Sequence, residues 1–167
     1  MGDNDEMPGN GEPDSASGRI SGDEMTTRNR WGTAMGIDVL ERSSQRVRAR
    51  IVVDERHHQP YGIAHGGVYC SIVEDIASQG AGYAAMEAGA AGVVGINNNT
   101  DFLRSHSAGE LTAVAEPLHI GRSTMLWQVW IRRSSDDKPV ARGQVRFHVL
   151  TERPEERRQR LGGQQGN

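Results

Sequence analysis

Residues 46–53 read RVRARIVV, with Val47, Ala49, Ile51 and Val53 alternating against Arg46, Arg48 and Arg50. A period of two marks a strand with one face in the core and the other in water. Downstream the period changes. From Gly66 or Gly67 to Ala88, the residues Val68, Ile72, Val73, Ile76, Ala77, Ala81, Ala84, Ala85 and Ala88 recur at helical spacing, and Gly89 and Gly92 offer a stop. This long helix is apolar around much of its circumference, so it has to be enclosed rather than covered on one side. Alternation returns in Glu110–Ile120, Ser123–Arg133 and Val140–Leu150, with a turn at Gly121 and a hairpin connection in SSDDKP. With Val93–Phe102 as a further strand, the order reads strand, strand, helix and then four strands in succession. No second long helical pattern is present, which excludes a doubly wound α/β sheet. The expected architecture is α+β, one long central helix wrapped by a curved antiparallel sheet.

Composition narrows the folded unit. The hydrophobic share of 35% is low for a chain of 167 residues, because the ends are polar. Residues 1–28 read as a disordered leader and 151–167 as a polar tail, leaving one domain over 29–150. The net charge is −3, its acids gathered in the leader, and the middle is close to neutral, which argues against a nucleic-acid partner. No basic start with an apolar core resembles a signal peptide, and no apolar run approaches the roughly 20 residues of a membrane helix. The expectation is a cytoplasmic protein with no membrane partner. Cys70 is the only cysteine, so no intrachain disulfide can form.

The chemistry gathers around HGGVYCSIVEDIAS, residues 65–78, where Glu74 and Asp75 sit inside an apolar helix. Acids are excluded from such faces unless they are paired, solvated or used. Gln59, His65-Gly66-Gly67, Glu74 and Ser78, together with VVGINNNTDFLRS and AEPLHIGR further on, resemble the hotdog-fold acyl-CoA thioesterases of the PaaI-like, phenylacetate-degradation type. The resemblance covers nearly all of 29–150. It implies the hotdog fold, hydrolysis of an acyl- or aryl-CoA thioester, and no cofactor, since coenzyme A is part of the substrate. It also implies a homodimer that assembles further to a homotetramer. In the first downstream block it implies a coenzyme A lining from Gly95, Phe102, Leu103, Arg104 and Ser105. In the second it implies His119, Ile120, Gly121, Arg122, Ser123 and Thr124.

The residues carry their own physical reading. A helix beginning at a glycine pair exposes unpaired N–H groups, with about half a positive charge from the macrodipole, and can hold the oxyanion of a thioester carbonyl. His65 orients either the loop or the carbonyl. Ser78 lies one turn beyond Glu74 on the same face, whereas Asp75 is turned about 100° away, so Glu74 is the preferred acid. It can serve as base or as nucleophile. Eight residues separate Gly66 from Glu74, roughly 12 Å of helix, while a reacting carbon needs both groups within about 3.5 Å. Two subunits with antiparallel helices satisfy that geometry. Arg104 and Arg122 suit the coenzyme A phosphates. Asn97-Asn98-Asn99 is either a polar lining or a strand kink, and Tyr69, Phe102, Trp127 and Trp130 could line an aromatic acyl pocket. His57, His58 and His65 lack an acid or cysteine to complete a metal set, so no metal is expected. Two rivals share the fold: a non-catalytic acyl-CoA binding module, and an enoyl-CoA hydratase, whose Asp and His arrangement is not found here.

Overall fold

A computed structural model describes residues 28–152 together with 158 and 159. The leader and most of the polar tail lie outside the described residues. The elements in chain order are α1 (Arg30–Ala34), β1 (Asp38–Arg42), β2 (Val47–Val53), a 3-10 turn (Glu55–His57), α2 (Gly66–Glu87), β3 (Gly92–Phe102), β4 (Gly109–Ile120), β5 (Thr124–Arg133) and β6 (Pro139–Leu150). The strands form one antiparallel sheet in the order β1-β2-β4-β5-β6-β3. β1 and β3 are therefore its edges.

The alternation in β2 translates directly, with Val47, Ala49, Ile51 and Val53 buried and the arginines between them exposed. Leu111, Ala113 and Ala115 of β4, Met125, Trp127, Val129 and Ile131 of β5, and Val145, Phe147 and Val149 of β6 complete the inner face. Against it lie Ile72, Val73, Ile76, Ala77, Ala81 and Ala85 of α2. Small residues let the helix sit deep: the Trp127 ring packs directly over Gly80, where a Cβ would collide with it. α2 ends in a Schellman motif, with Gly89 at φ 72°, its N–H on Met86 O and the Ala90 N–H on Ala85 O.

The sheet curves around α2, as expected. Cys70, Ser71, Glu74, Ser78 and Gly82 form a half-buried row along the helix, met at Cys70 and Glu74 by Asn98 of β3. The N-terminal segment covers a neighbouring flank. Asn29 caps α1 by accepting from Gly32 N–H at 2.9 Å, and its amide donates to Asp75 Oδ1 at 2.7 Å.

Candidate active site

The start of α2 is held by its own N-cap. His65 Nδ1 accepts the Gly67 N–H at 2.8 Å, and the His65 carbonyl accepts the Val68 N–H at 2.9 Å. The His65 N–H itself donates to His57 O at 2.8 Å. Of the two glycine amides expected as oxyanion donors, that of Gly67 is thus committed to His65. The Gly66 N–H makes no hydrogen bond among the described residues.

Gly66 opens on a cleft of about 290 Å³ shared with Gln59, Tyr69, Phe102, Leu103, Arg104 and Ser105. Six expected site residues therefore converge: Gln59, Gly66, Phe102, Leu103, Arg104 and Ser105. The Phe102 ring lies over Gly66, where a Cβ would come within 2.6 Å of Cε2, and its centroid is 5.8 Å from that of Tyr69. Gln59 Oε1 accepts the Tyr61 N–H at 2.8 Å, which fixes the loop at the mouth. The Tyr69 hydroxyl is buried without a partner among the described residues, and burial pushes its phenol above the ordinary value.

Glu74 stands on the half-buried row of α2. Its Oε1 lies 3.5 Å from Ser78 Oγ, and its Oε2 accepts from Asn98 Nδ2 at 3.0 Å. Asp75 points elsewhere: Asn29 Nδ2 and Gln79 Nε2 donate to its two oxygens at 2.7 and 2.9 Å, and Arg42 Nε donates to Gln79 Oε1 at 2.7 Å. Burial raises the Asp75 carboxyl above the ordinary range, against the lowering pull of Asn29, Gln79 and Arg42. Asp75 is thus held by two short amide bonds, whereas Glu74 has one, from Asn98, and a 3.5 Å approach from the Ser78 hydroxyl.

The remaining expectations divide. Gly95 packs beneath the Glu74 carboxylate, seven residues along β3 from Phe102, whose ring lies over Gly66. The turn carrying His119, Ile120, Gly121, Arg122, Ser123 and Thr124 is closed by Gly121 N–H on Thr124 O at 2.9 Å. It adjoins His148 of β6, whereas Arg104 Nη1 donates to Pro139 O at 2.7 Å at the opposite end of that strand. Nine residues of strand make about 30 Å, so one chain cannot bring Arg104 and Arg122 to one nucleotide. Of the four rings that could line an aromatic pocket, Tyr69 and Phe102 border the cleft, Trp127 is core, and Trp130 lies on the outer face of the sheet under Arg132, 5.5 Å from ring centroid to Cζ. The three histidines serve separate contacts, His57 with Met35 O and His58 with Ser107 O. Sequence reasoning left Asn97-Asn98-Asn99 open between a polar lining and a strand kink and did not single out Asn98.

The thioesterase superfamily model matches residues 61–140. A Mycobacterium tuberculosis protein provisionally named as an esterase is 46% identical over 125 residues, 74% of this chain and 89% of its own length. Its solved structure has a TM-score of 0.71 at 44% identity, covering 74% of this chain and 98% of that one. The 1,4-dihydroxy-2-naphthoyl-CoA hydrolase of Listeria monocytogenes is 37% identical over 97 residues, 58% of this chain and 77% of its own length. The Escherichia coli PaaI protein shares the fold, with a TM-score of 0.67 at 23% identity over 75% of this chain and 88% of that one. One long helix against a six-stranded antiparallel sheet, the matching family model and these relatives agree: the chain belongs to the thioesterase superfamily and is a thioester hydrolase of the hotdog fold.

Proposed function

We propose that this enzyme hydrolyses an acyl- or aryl-CoA thioester, with Glu74 as the reacting carboxylate and the Gly66 N–H as oxyanion donor. The observation that carries this reading is the contrast between neighbouring acids. Asp75 is held by two short amide bonds, from Asn29 and Gln79, while Glu74 takes one, from Asn98, and has the Ser78 hydroxyl 3.5 Å from its other oxygen. The coenzyme A thioester is supported by the Listeria relative, which is named for hydrolysing one.

Gly66 and Glu74 are separated by roughly 12 Å of helix, so the two halves of a site come from two copies. The exposed backbone edge of β3, with Val94 and Ile96 facing outward, supports pairing with a second chain. In the assembled site the Gly66 N–H of one copy faces the carbonyl oxygen, and Glu74 of the other faces the carbonyl carbon. As base, Glu74 takes a proton from water while the water oxygen bonds to that carbon. The C–S bond then breaks, and coenzyme A leaves as the thiol with that proton. As nucleophile, Glu74 forms an anhydride that water opens to the same products. Gln59, His65 and Ser78 position the reacting groups.

Thiol release from benzoyl-, phenylacetyl-, hexanoyl- and palmitoyl-CoA tests the reading and names the acyl class. Glu74→Gln should lose about 10²- to 10⁴-fold in kcat with little change in KM, the range for removing a general acid or base. Asp75→Asn should keep kcat within a small factor. A larger loss at Asp75, or equal losses, would assign the chemistry to the other acid.

A further inference from the structure

β3 carries one residue too many. Gly95 lies opposite Phe147 and Asn97 opposite Arg146, so Ile96 has no counterpart on β6. In an unbroken strand Gly95, Asn97 and Asn99 would share a face. The extra residue changes that parity and re-aims the side chains after it. Gly95 faces α2 before the bulge, where a Cβ would collide with Glu74 Oε1, and Asn98 faces α2 after it, with Nδ2 3.0 Å from Glu74 Oε2. One strand thus meets both oxygens of one carboxylate, the first with a gap and the second with a donor.

Asn98 is itself fixed. Its Nδ2 also donates to Cys70 O at 3.1 Å, one helical turn before Glu74, and its Oδ1 accepts from Thr100 Oγ1 at 2.7 Å. A main-chain carbonyl can only accept, so the amide nitrogen is the atom turned toward α2. Both N–H bonds are then used, one on the helix backbone and one on the carboxylate. We infer that the β3 bulge is a positioning device for Glu74: Asn98 aims the carboxylate and Gly95 leaves it room. The inference rests on the reading of Glu74 as the reacting carboxylate. A glutamate on the half-buried row of a helix has three side-chain torsions to order, and a reactive group must be held within about 0.5 Å of its working geometry.

A double-mutant cycle decides it, using Asn98→Ala, Glu74→Gln and the pair, with the fastest-cleaved thioester of the four above. Enzyme is supplied at concentrations that resolve residual turnover, and folding of each variant is checked by thermal melting. Asn98→Ala should lower kcat about 10- to 100-fold with KM within about twofold, the cost of a misplaced reacting group. In the Glu74→Gln background the same substitution should change kcat no further, because its effect passes through Glu74. Asn98→Asp, nearly isosteric but setting one carboxylate against another, should be at least as impaired. Gly95→Ala, which removes no hydrogen bond, should lower kcat by filling the gap. The inference is overturned if Asn98→Ala or Asn98→Asp keeps wild-type kcat, or if Asn98→Ala costs the same factor with and without Glu74. A fully active Glu74→Gln would instead remove the reading beneath it, and the positioning role with it.

Discussion

At the scale of single residues, the two arginines expected to bind the nucleotide differ in what they already do. Arg104 commits Nη1 to Pro139 O at 2.7 Å and so ties the segment after β3 to β6. Arg122, exposed in the β4–β5 turn, has no hydrogen bond or ion pair among the described residues. A free guanidinium beside turn amides suits a phosphate, and each well-formed charge-assisted contact contributes about 1.5–3 kcal/mol. Arg122→Ala should therefore raise KM for acyl-CoA about 10- to 100-fold while leaving KM for the matching pantetheine thioester, which lacks the nucleotide, nearly unchanged. Arg104→Ala should impair both thioesters, because it also releases the cleft wall at Leu103. Steady-state KM values on the two substrates check this, and an equal loss on both for Arg122→Ala would remove it from the nucleotide site.

At the scale of elements, Asp75 joins three segments distant in sequence. Gly32 N–H donates to Asn29, Asn29 to Asp75, Gln79 to Asp75 and Arg42 to Gln79. The direction of every bond is set by its neighbours, and the relay locks α1 and β1 onto α2. Burial dominates the Asp75 shift and raises its folded carboxyl above the unfolded value. The folded state then binds the proton more tightly, so the stability contributed by this group is present at low pH and declines as pH rises through the raised value. Groups other than Asp75 cancel on comparison with Asp75→Asn. The stability of the wild type relative to that variant should fall as pH climbs out of the ordinary carboxylate range, measured by denaturant unfolding across a pH series. A difference that grows with pH would reverse the sign. This network was not legible in the sequence, because its partners stand up to 46 residues apart and no local pattern joins them. The elements themselves were legible. β2 alternates without interruption, and the helix from Gly66 is bounded by glycines at both ends. β3 was legible as a strand but not by face, since the bulge at Ile96 breaks the parity that reading along a strand assumes. α1, at five residues, is too short to show a period.

At the scale of the whole molecule, the half-buried row on α2 and the open edge of β3 lie together, with Asn98 of that strand hydrogen-bonded to Glu74 of that row. A second chain that pairs with β3 would arrive beside Glu74. If each site combines Gly66 of one copy with Glu74 of the other, two different inactive chains should rescue each other. Glu74→Ala removes the carboxylate, and Gly66→Val places a branched side chain where even a Cβ would meet the Phe102 ring at 2.6 Å. Of the two sites in a mixed dimer, one carries both lesions and the other carries two intact halves. Co-expression with different affinity tags, isolation of the mixed dimer and assay of thiol release should return about half the wild-type activity per dimer if the sites act independently. Sedimentation of the Gly66→Val parent establishes first that it still assembles. A well-assembled mixed dimer as inactive as its parents would mean that Gly66 of one copy and Glu74 of the other do not meet on one substrate.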